Sequence, residues 1–182
     1  NTGTTTSALT IVNNLIYDIV ADGDPSSVSY IPAGIAVGAA ATTGGVSIYS
    51  NTVNMYGDAS NGGRTYVSKI DAFYVGSYAS ALDVRNNIFV NTMTKTSASG
   101  TKMYAIHNDA AASAFTTINN NDYFVSGAQG VLAYLGADLA TLGAWKTAVT
   151  ADVYSVNGDP GFTSATNLLP DITSASSWNI NG

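Results

Sequence analysis

Glutamate and cysteine are both missing from this chain of 182 residues, and each absence excludes something. All twelve acidic residues are aspartate. Glutamate favours helix interiors and aspartate favours turns and caps, so the pattern argues against a helical protein. Without cysteine there are no disulfides and no thiolate metal sites, which fits an exported bacterial protein as well as a cytosolic one. Basic residues are scarce too. Six Lys and Arg leave a net charge of −6, which opposes nucleic-acid binding and supplies no polybasic membrane anchor. No apolar run approaches the ~20 residues of a membrane-spanning helix, so no membrane insertion is expected. The chain opens on Asn1-Thr2-Gly3 with no charged-then-apolar leader, so we expect a leader already removed or a fragment of a longer protein. Only 10% of residues are charged, and the polar surface must therefore be Ser, Thr, Asn and Gly, which suits short strands joined by many turns.

What is present is one phrase written four times. The copies are Thr10-Ile-Val-Asn-Asn14-Leu-Ile16, Ser47-Ile-Tyr-Ser-Asn51-Thr-Val53, Asp83-Val-Arg-Asn-Asn87-Ile-Phe89 and Thr117-Ile-Asn-Asn-Asn121-Asp-Tyr123. Aligned, they place Asn at 14, 51, 87 and 121, at successive steps of 37, 36 and 34 residues. Apolar residues flank each Asn: Ile11, Ile48, Val84 and Ile118 before it, Ile16, Val53, Phe89 and Tyr123 after it. Repeats of this length mean stacked supersecondary units rather than one globular core.

Each repeat carries a second strand, over 34–37, 72–75, 105–108 and 133–136, in which a small residue precedes a large apolar one. One repeat therefore reads as strand, turn, strand with Asn, then a loop. The loops at 18–30, 57–69 and 91–102 are rich in Gly, Ser, Asp and Thr and read as surface excursions. After Gly136 the pattern changes. Leu139, Leu142, Trp145 and Val149 fall at helical spacing, with Asp138 or Thr141 as N-cap. Such a helix at the end of a repeat array would cover the apolar face of the last repeat. Residues 1–136 are thus read as the repeats, and 137–182 as a helix and closing segment of the same domain. Turns at 157–162 and 167–170 bracket short extended pieces, with Phe162 and Leu168 expected inside.

An Asn at one corner of consecutive repeats can take up a left-handed backbone conformation. Its amide can also donate to one neighbouring repeat and accept from the other, as in a ladder. Asn14, Asn51, Asn87 and Asn121 are assigned that structural role. The phrase Leu82-Asp-Val-Arg-Asn-Asn-Ile-Phe89 resembles those of right-handed parallel β-helix repeat proteins of the pectate-lyase-like superfamily. The stretch from Leu139 to Phe162, with Trp145 ahead of Asp159-Pro-Gly-Phe162, is similar to the closing segment of such repeats in large secreted bacterial surface proteins. The resemblance implies an all-β right-handed parallel β-helix of about four coils with a short C-terminal helix over one end. It implies little about activity, because the superfamily holds lyases, hydrolases, adhesins and passive spacers.

Pectin hydrolases of this fold carry Asn-Thr-Asp, Asp-Asp, Gly-His-Gly and Arg-Ile-Lys motifs. None occurs here, and the nearest fragment, Asn51-Thr52-Val53, lacks the acid. Asp83 and Arg85 share a strand face and read as an exposed ion pair rather than as a metal ligand and a base. His107 aligns with Ala36 and Tyr74 on an outward position and reads as a solvated histidine. No catalytic residue is assigned and no cofactor is implied. Asp22 and Asp24 in a Gly-containing turn are candidates for a calcium loop, although calcium takes six or more oxygens. Tyr49, Tyr74 and Tyr78 fall on or near outward positions, where rings can stack on sugars, or simply serve as strand residues with wet tips. The leading expectation is a non-enzymatic structural or adhesive module of a secreted or cell-surface protein. Its partners would be neighbouring coils of the same polypeptide, or self-association through an open end. A carbohydrate-binding or carbohydrate-active β-helix is the alternative, with polysaccharide as partner. An ice-binding solenoid needs a flat, regular Thr array, and the outward positions here (Thr10, Ser47, Asp83, Thr117) do not supply one.

Overall fold

The structure is a computed structural model, and it describes residues 8–21, 31–39, 42–62 and 65–169. Thirteen strands and one helix are described. In chain order the strands are β1 (Leu9–Val12), β2 (Leu15–Tyr17), β3 (Ala33–Val37), β4 (Thr43–Tyr49), β5 (Thr52–Met55), β6 (Lys69–Val75), β7 (Ala79–Arg85), β8 (Ile88–Asn91), β9 (Lys102–Asn108), β10 (Phe115–Asn119), β11 (Asp122–Val125), β12 (Gly130–Leu135) and β13 (Asp138–Leu139), and the helix is α1 (Leu142–Val149). They form three sheets, ordered β1-β4-β7-β10, β2-β5-β8-β11 and β3-β6-β9-β12-β13. Each sheet takes one strand from every repeat, and every pairing between repeats is parallel. The only antiparallel pair among the described strands is β12 with β13. The described residues are all-β apart from α1 and short 3-10 turns at Ala59–Gly62 and Ala112–Ala114.

A repeat therefore holds three strands, one more than its sequence pattern suggests. The Asn phrase is not a single strand. It breaks between its two halves, which enter different sheets. The break sits at Asn13, Ser50, Asn86 and Asn120, with φ of 57°, 53°, 60° and 58°. A left-handed residue turns the chain sharply, and Asn tolerates it better than most. The left-handed task thus falls on the residue before the ladder position, not on Asn14, Asn51, Asn87 and Asn121 themselves.

The registers set two apolar columns. Ile11, Ile48, Val84 and Ile118 are in line across the first sheet. Ile16, Val53, Phe89 and Tyr123 are in line across the second. Ile48, Val84, Val53, Phe89 and Tyr123 are fully buried, and Phe89 stacks on Phe73 of the third sheet and on Tyr123. The second and third sheets approach closely at Gly34, where an added Cβ would lie 2.2 Å from Val53 Cγ1. Only glycine fits there.

Beyond β12 the sequence expectation is corrected in part. Asp138 and Leu139 do not open the helix; they fold back as β13 after the left-handed Gly136. The helix starts at Leu142, and Thr141 is its cap, with its Oγ1 accepting from Ala144 N at 3.2 Å. Trp145 and Val149 are buried, and the Trp145 ring meets Phe115 and Tyr123 edge-on. The helix thus closes one end of the core. Leu168 is buried as expected, whereas Phe162 is only half-buried. Asp22, Asp24, most of the 18–30 loop, Pro170 and the 174–182 tail lie outside the described residues. No described helix is long and apolar enough to cross a membrane.

Candidate functional site

Two polar constellations are built into these sheets. The first runs along the corner between the first and second sheets. Asn51 Oδ1 accepts from Asn14 N at 3.1 Å and from Asn14 Nδ2 at 2.8 Å. Asn87 Oδ1 accepts from Asn51 N and Nδ2, both at 3.0 Å. Asn121 Oδ1 accepts from Asn87 N and Nδ2, again at 3.0 Å. The remaining amide hydrogens go to strand carbonyls: Asn51 Nδ2 to Ile11 O, Asn87 Nδ2 to Ile48 O, Asn121 Nδ2 to Val84 O. Asn51, Asn87 and Asn121 are buried, so each amide is satisfied by the repeats around it.

The ladder ends on a residue that the repeat pattern does not reveal. Asn121 N donates to Ser155 Oγ at 2.7 Å. Val156 bridges to Asp122, so Ser155 stands level with Asn121, where a further repeat would place its Asn. Ser155 in turn donates to the buried Asp152, whose other oxygen accepts from Trp145 Nε1 at 2.7 Å and Tyr123 OH at 2.8 Å. The closing segment is tied to α1 and to the core through one carboxylate.

The second constellation lies on the outer face of the third sheet, and it overturns the sequence reading of His107. The register does put His107 in line with Ala36, Tyr74 and Tyr134. Yet it is 0% exposed. The rings of Tyr74, Tyr104 and Tyr134 surround it at 5.2, 5.0 and 4.8 Å between centroids. An outward position is solvated only when its neighbours are small, and here three tyrosines wall it in.

Both imidazole nitrogens face carboxylates. Nδ1 lies 2.9 Å from Asp71 Oδ2 and Nε2 lies 3.1 Å from Asp109 Oδ1, with Lys69 Nζ 3.2 Å from Nε2. Asp109 Oδ2 also accepts from Tyr74 OH at 3.0 Å. Burial opposes the charged imidazole, but the hydrogen bonds to Asp109 and Asp71 and their charges outweigh it and raise the His107 pKa. The hydrogen bond from His107 holds Asp109 below the usual carboxylate range, against the effect of its burial. Asp71 is fully buried, and that burial raises its pKa despite the hydrogen bond and charge of His107. Its Oδ1 has no hydrogen-bond partner among the described residues. With His107 as imidazolium, both ring N–H groups donate, Nδ1 to Asp71 and Nε2 to Asp109, and the Lys69 ammonium, which can only donate, is then a neighbouring charge and not a hydrogen-bond partner of Nε2. Nearby, Asp138 accepts from Tyr104 OH at 2.7 Å and pairs with Lys102.

Of the other residues singled out in the sequence, Tyr74 is only 1% exposed and offers no ring face to a sugar. Tyr49 lies on the first sheet, where its hydroxyl donates to Asp83 Oδ2 at 2.5 Å and its ring lies under the Arg85 guanidinium. Asp83 and Arg85 form the ion pair expected of them, at 2.7 Å and partly exposed. Tyr78 is 54% exposed, beyond the end of β6. The three tyrosines thus form no common platform. Among the described residues no cluster of three or more His, Cys, Asp or Glu side chains is arranged to hold a metal. Sequence reasoning missed Asp71, Asp109, Lys69, Tyr104 and Tyr134 because the third sheet has no repeated phrase. Only the alignment of Ala36, Tyr74 and His107 pointed towards it.

Comparison with protein-family models, with curated proteins and with solved structures gives no match.

Proposed function

We propose that this chain is a segment of a right-handed parallel β-helix of the pectate-lyase-like kind, acting as a non-enzymatic structural or adhesive module of a secreted or cell-surface bacterial protein. The observation that carries the reading is the asparagine ladder, which runs from Asn14 to Asn121 and joins the same corner of four successive repeats. Right-handedness is the near-universal sense of crossovers between parallel strands. The His107 constellation supports the same reading. A general acid or base must reach its substrate, whereas His107 is fully buried and both its ring nitrogens are engaged by the chain's own side chains. It is a lock between repeats. Exported localisation rests on the resemblance alone, since a chain without cysteine fits either compartment.

One arrangement favours a second reading, a carbohydrate-active β-helix. Lys69, His107 and Asp109 converge on one outer sheet face beside the half-buried ring of Tyr134. A movement of Lys69 would bring that group to solvent. Incubation with a panel of neutral and acidic polysaccharides, with and without calcium, separates the two. The structural reading expects no release of reducing or unsaturated ends. Turnover that disappears in His107→Gln would replace it with the enzymatic one.

A further inference from the structure

The two ends of the ladder differ. At one end Asn121 N is taken by Ser155, and α1 brings Trp145 over the last repeat. There the column residues Ile118 and Tyr123 stay 3% and 0% exposed. At the other end β1, β2 and β3 are terminal strands of their sheets, with no strand paired to their far edges among the described residues. Ile11 and Ile16, in the same columns, are only half-buried. Asn14 is exposed, and its Oδ1 accepts no hydrogen bond from the described residues, whereas Oδ1 of Asn51, Asn87 and Asn121 each accepts two.

Resting on the β-helix reading above, we propose that this edge is the docking surface for one further coil of the same repeat, carried upstream in the same polypeptide. That coil presents an Asn whose backbone N–H and Nδ2 both donate to Asn14 Oδ1. The direction of the ladder decides the occupant. In every pair the donor amide belongs to the earlier coil and the acceptor to the later one, from Asn14 to Asn51 to Asn87 to Asn121. A group that donates to Asn14 in this geometry is therefore the coil before it. A second copy meeting this one edge to edge would set one Asn14 Oδ1 against another, two acceptors with no hydrogen between them. A second copy stacked head to tail would have to offer Asn121, whose backbone N–H is already bound to Ser155 and whose end carries α1. Unpaired strand edges are covered or paired in native proteins, and here the chemistry specifies the cover.

The registers supply a probe. Leu9, Val46 and Leu82 occupy one column, so a copy of residues 46–81 placed directly before Leu9 enters in phase, with its copied Asn51 beside Asn14. Amide exchange in β1 and β2 is expected to slow by about tenfold or more in the extended chain. Replacing the copied Asn51 by Ala should reverse part of that protection while the added coil keeps its own. Unchanged exchange in β1 and β2 beneath a protected added coil would overturn the proposal, as would indifference to the Asn→Ala change. So would an unmodified chain that already protects β1 and β2, whether as a monomer or as a dimer in light scattering. Failure of the underlying β-helix reading is recognised separately: Asn87→Ala in the unmodified chain would then leave exchange in β4 and β7 unaltered.

Discussion

Lys69 and Tyr134 belong to strands separated by β9, yet the Lys69 ammonium sits 4.5 Å from the centroid of the Tyr134 ring. The side chain spans the strand between them, and the residue it crosses is His107. A cation held over a ring is stabilised by about 0.5–2 kcal/mol, more as it is desolvated. Lys69 therefore acts as the outer cover of the histidine and joins three repeats at once.

That arrangement predicts a pH dependence. The raised pKa of His107 means the fold binds its proton more tightly than the unfolded chain does. The stabilisation is complete below the unfolded value of about 6.5 and is lost as pH rises through the folded value. Asp109, held low, contributes in the opposite sense: its stabilisation is present above about 3.9 and is lost as pH falls through its folded value. Asp71, raised by burial, is lost in the same direction as pH rises, so thermal melts of His107→Gln should lose the histidine's share of the alkaline slope and keep that of Asp71. At pH 6 the variant should be weaker by roughly 3–5 kcal/mol, because Asp71 is left buried without its cation. A variant whose melting temperature tracks wild type from pH 6 to pH 9 would remove His107 from this role.

The ladder predicts a gradient of cost along the chain. Replacing Asn87 by Leu leaves Asn51 N, Ile48 O and Arg85 O without their side-chain partner. Arg85 O keeps the Ser50 N–H at 3.2 Å, and each of the other two buried groups left unpaired costs about 1–3 kcal/mol, so the loss should be about 2 kcal/mol or more in sum. The Asn14 side-chain oxygen accepts no hydrogen bond among the described residues and the residue is exposed, so Asn14→Leu should cost about 1 kcal/mol or less. Denaturant midpoints for the two variants check this, and equal losses would contradict it.

The repeats were legible for a physical reason. In the first two sheets the same side chains must recur at the same height, because each strand pairs with its own copy. Asn51 and Asn87, Ile48 and Val84, Val53 and Phe89 therefore carry the register in the sequence itself. The third strand set was visible only as a small-then-large pattern, since loops of unequal length shift its spacing. His107 was misread because burial on an outer face depends on the sizes of Tyr74, Tyr104 and Tyr134 around it, and on a lysine two strands away. Ser155 escaped because a ladder can end on any acceptor, and a single hydroxyl has no repeat to announce it.

Asp122 predicts a second pH effect, at the closing end. Its carboxyl is pushed up to about 6, chiefly by burial, with the Gly158 and Tyr123 backbone N–H groups working against the shift. A raised carboxyl favours the protonated fold, so this contribution is present below about 3.9 and is lost as pH rises through about 6. Asparagine keeps the acceptor for Gly158 N, now 2.9 Å from Asp122 Oδ1, and removes the charge. Asp122→Asn should therefore be more stable than wild type by roughly 1–3 kcal/mol at pH 7.5 and equal to it near pH 4. A gain that persists unchanged at pH 4 would show that the carboxylate charge is not its cause.

The last prediction concerns one register position of the first sheet, just before β1 and inside β4 and β7. Ala8, Gly45 and Ala81 are equivalent by register, and all three are left-handed, with φ of 48°, 64° and 50°. An L-residue with a Cβ is strained there by roughly 1–2 kcal/mol, and glycine is not. Ala81 is half-buried, so removing its methyl also forfeits some contact, and glycine gives the unfolded chain more freedom. The relief of strain is the larger effect, and Ala81→Gly should stabilise the protein by about 0.5–1 kcal/mol. The reciprocal change, Gly45→Ala, restores the strain in the neighbouring repeat and should destabilise by about 1–2 kcal/mol. Urea midpoints of the two single variants and of the pair test the assignment together. If Ala81→Gly weakens the protein while Gly45→Ala leaves it unchanged, methyl packing rather than backbone strain governs this corner.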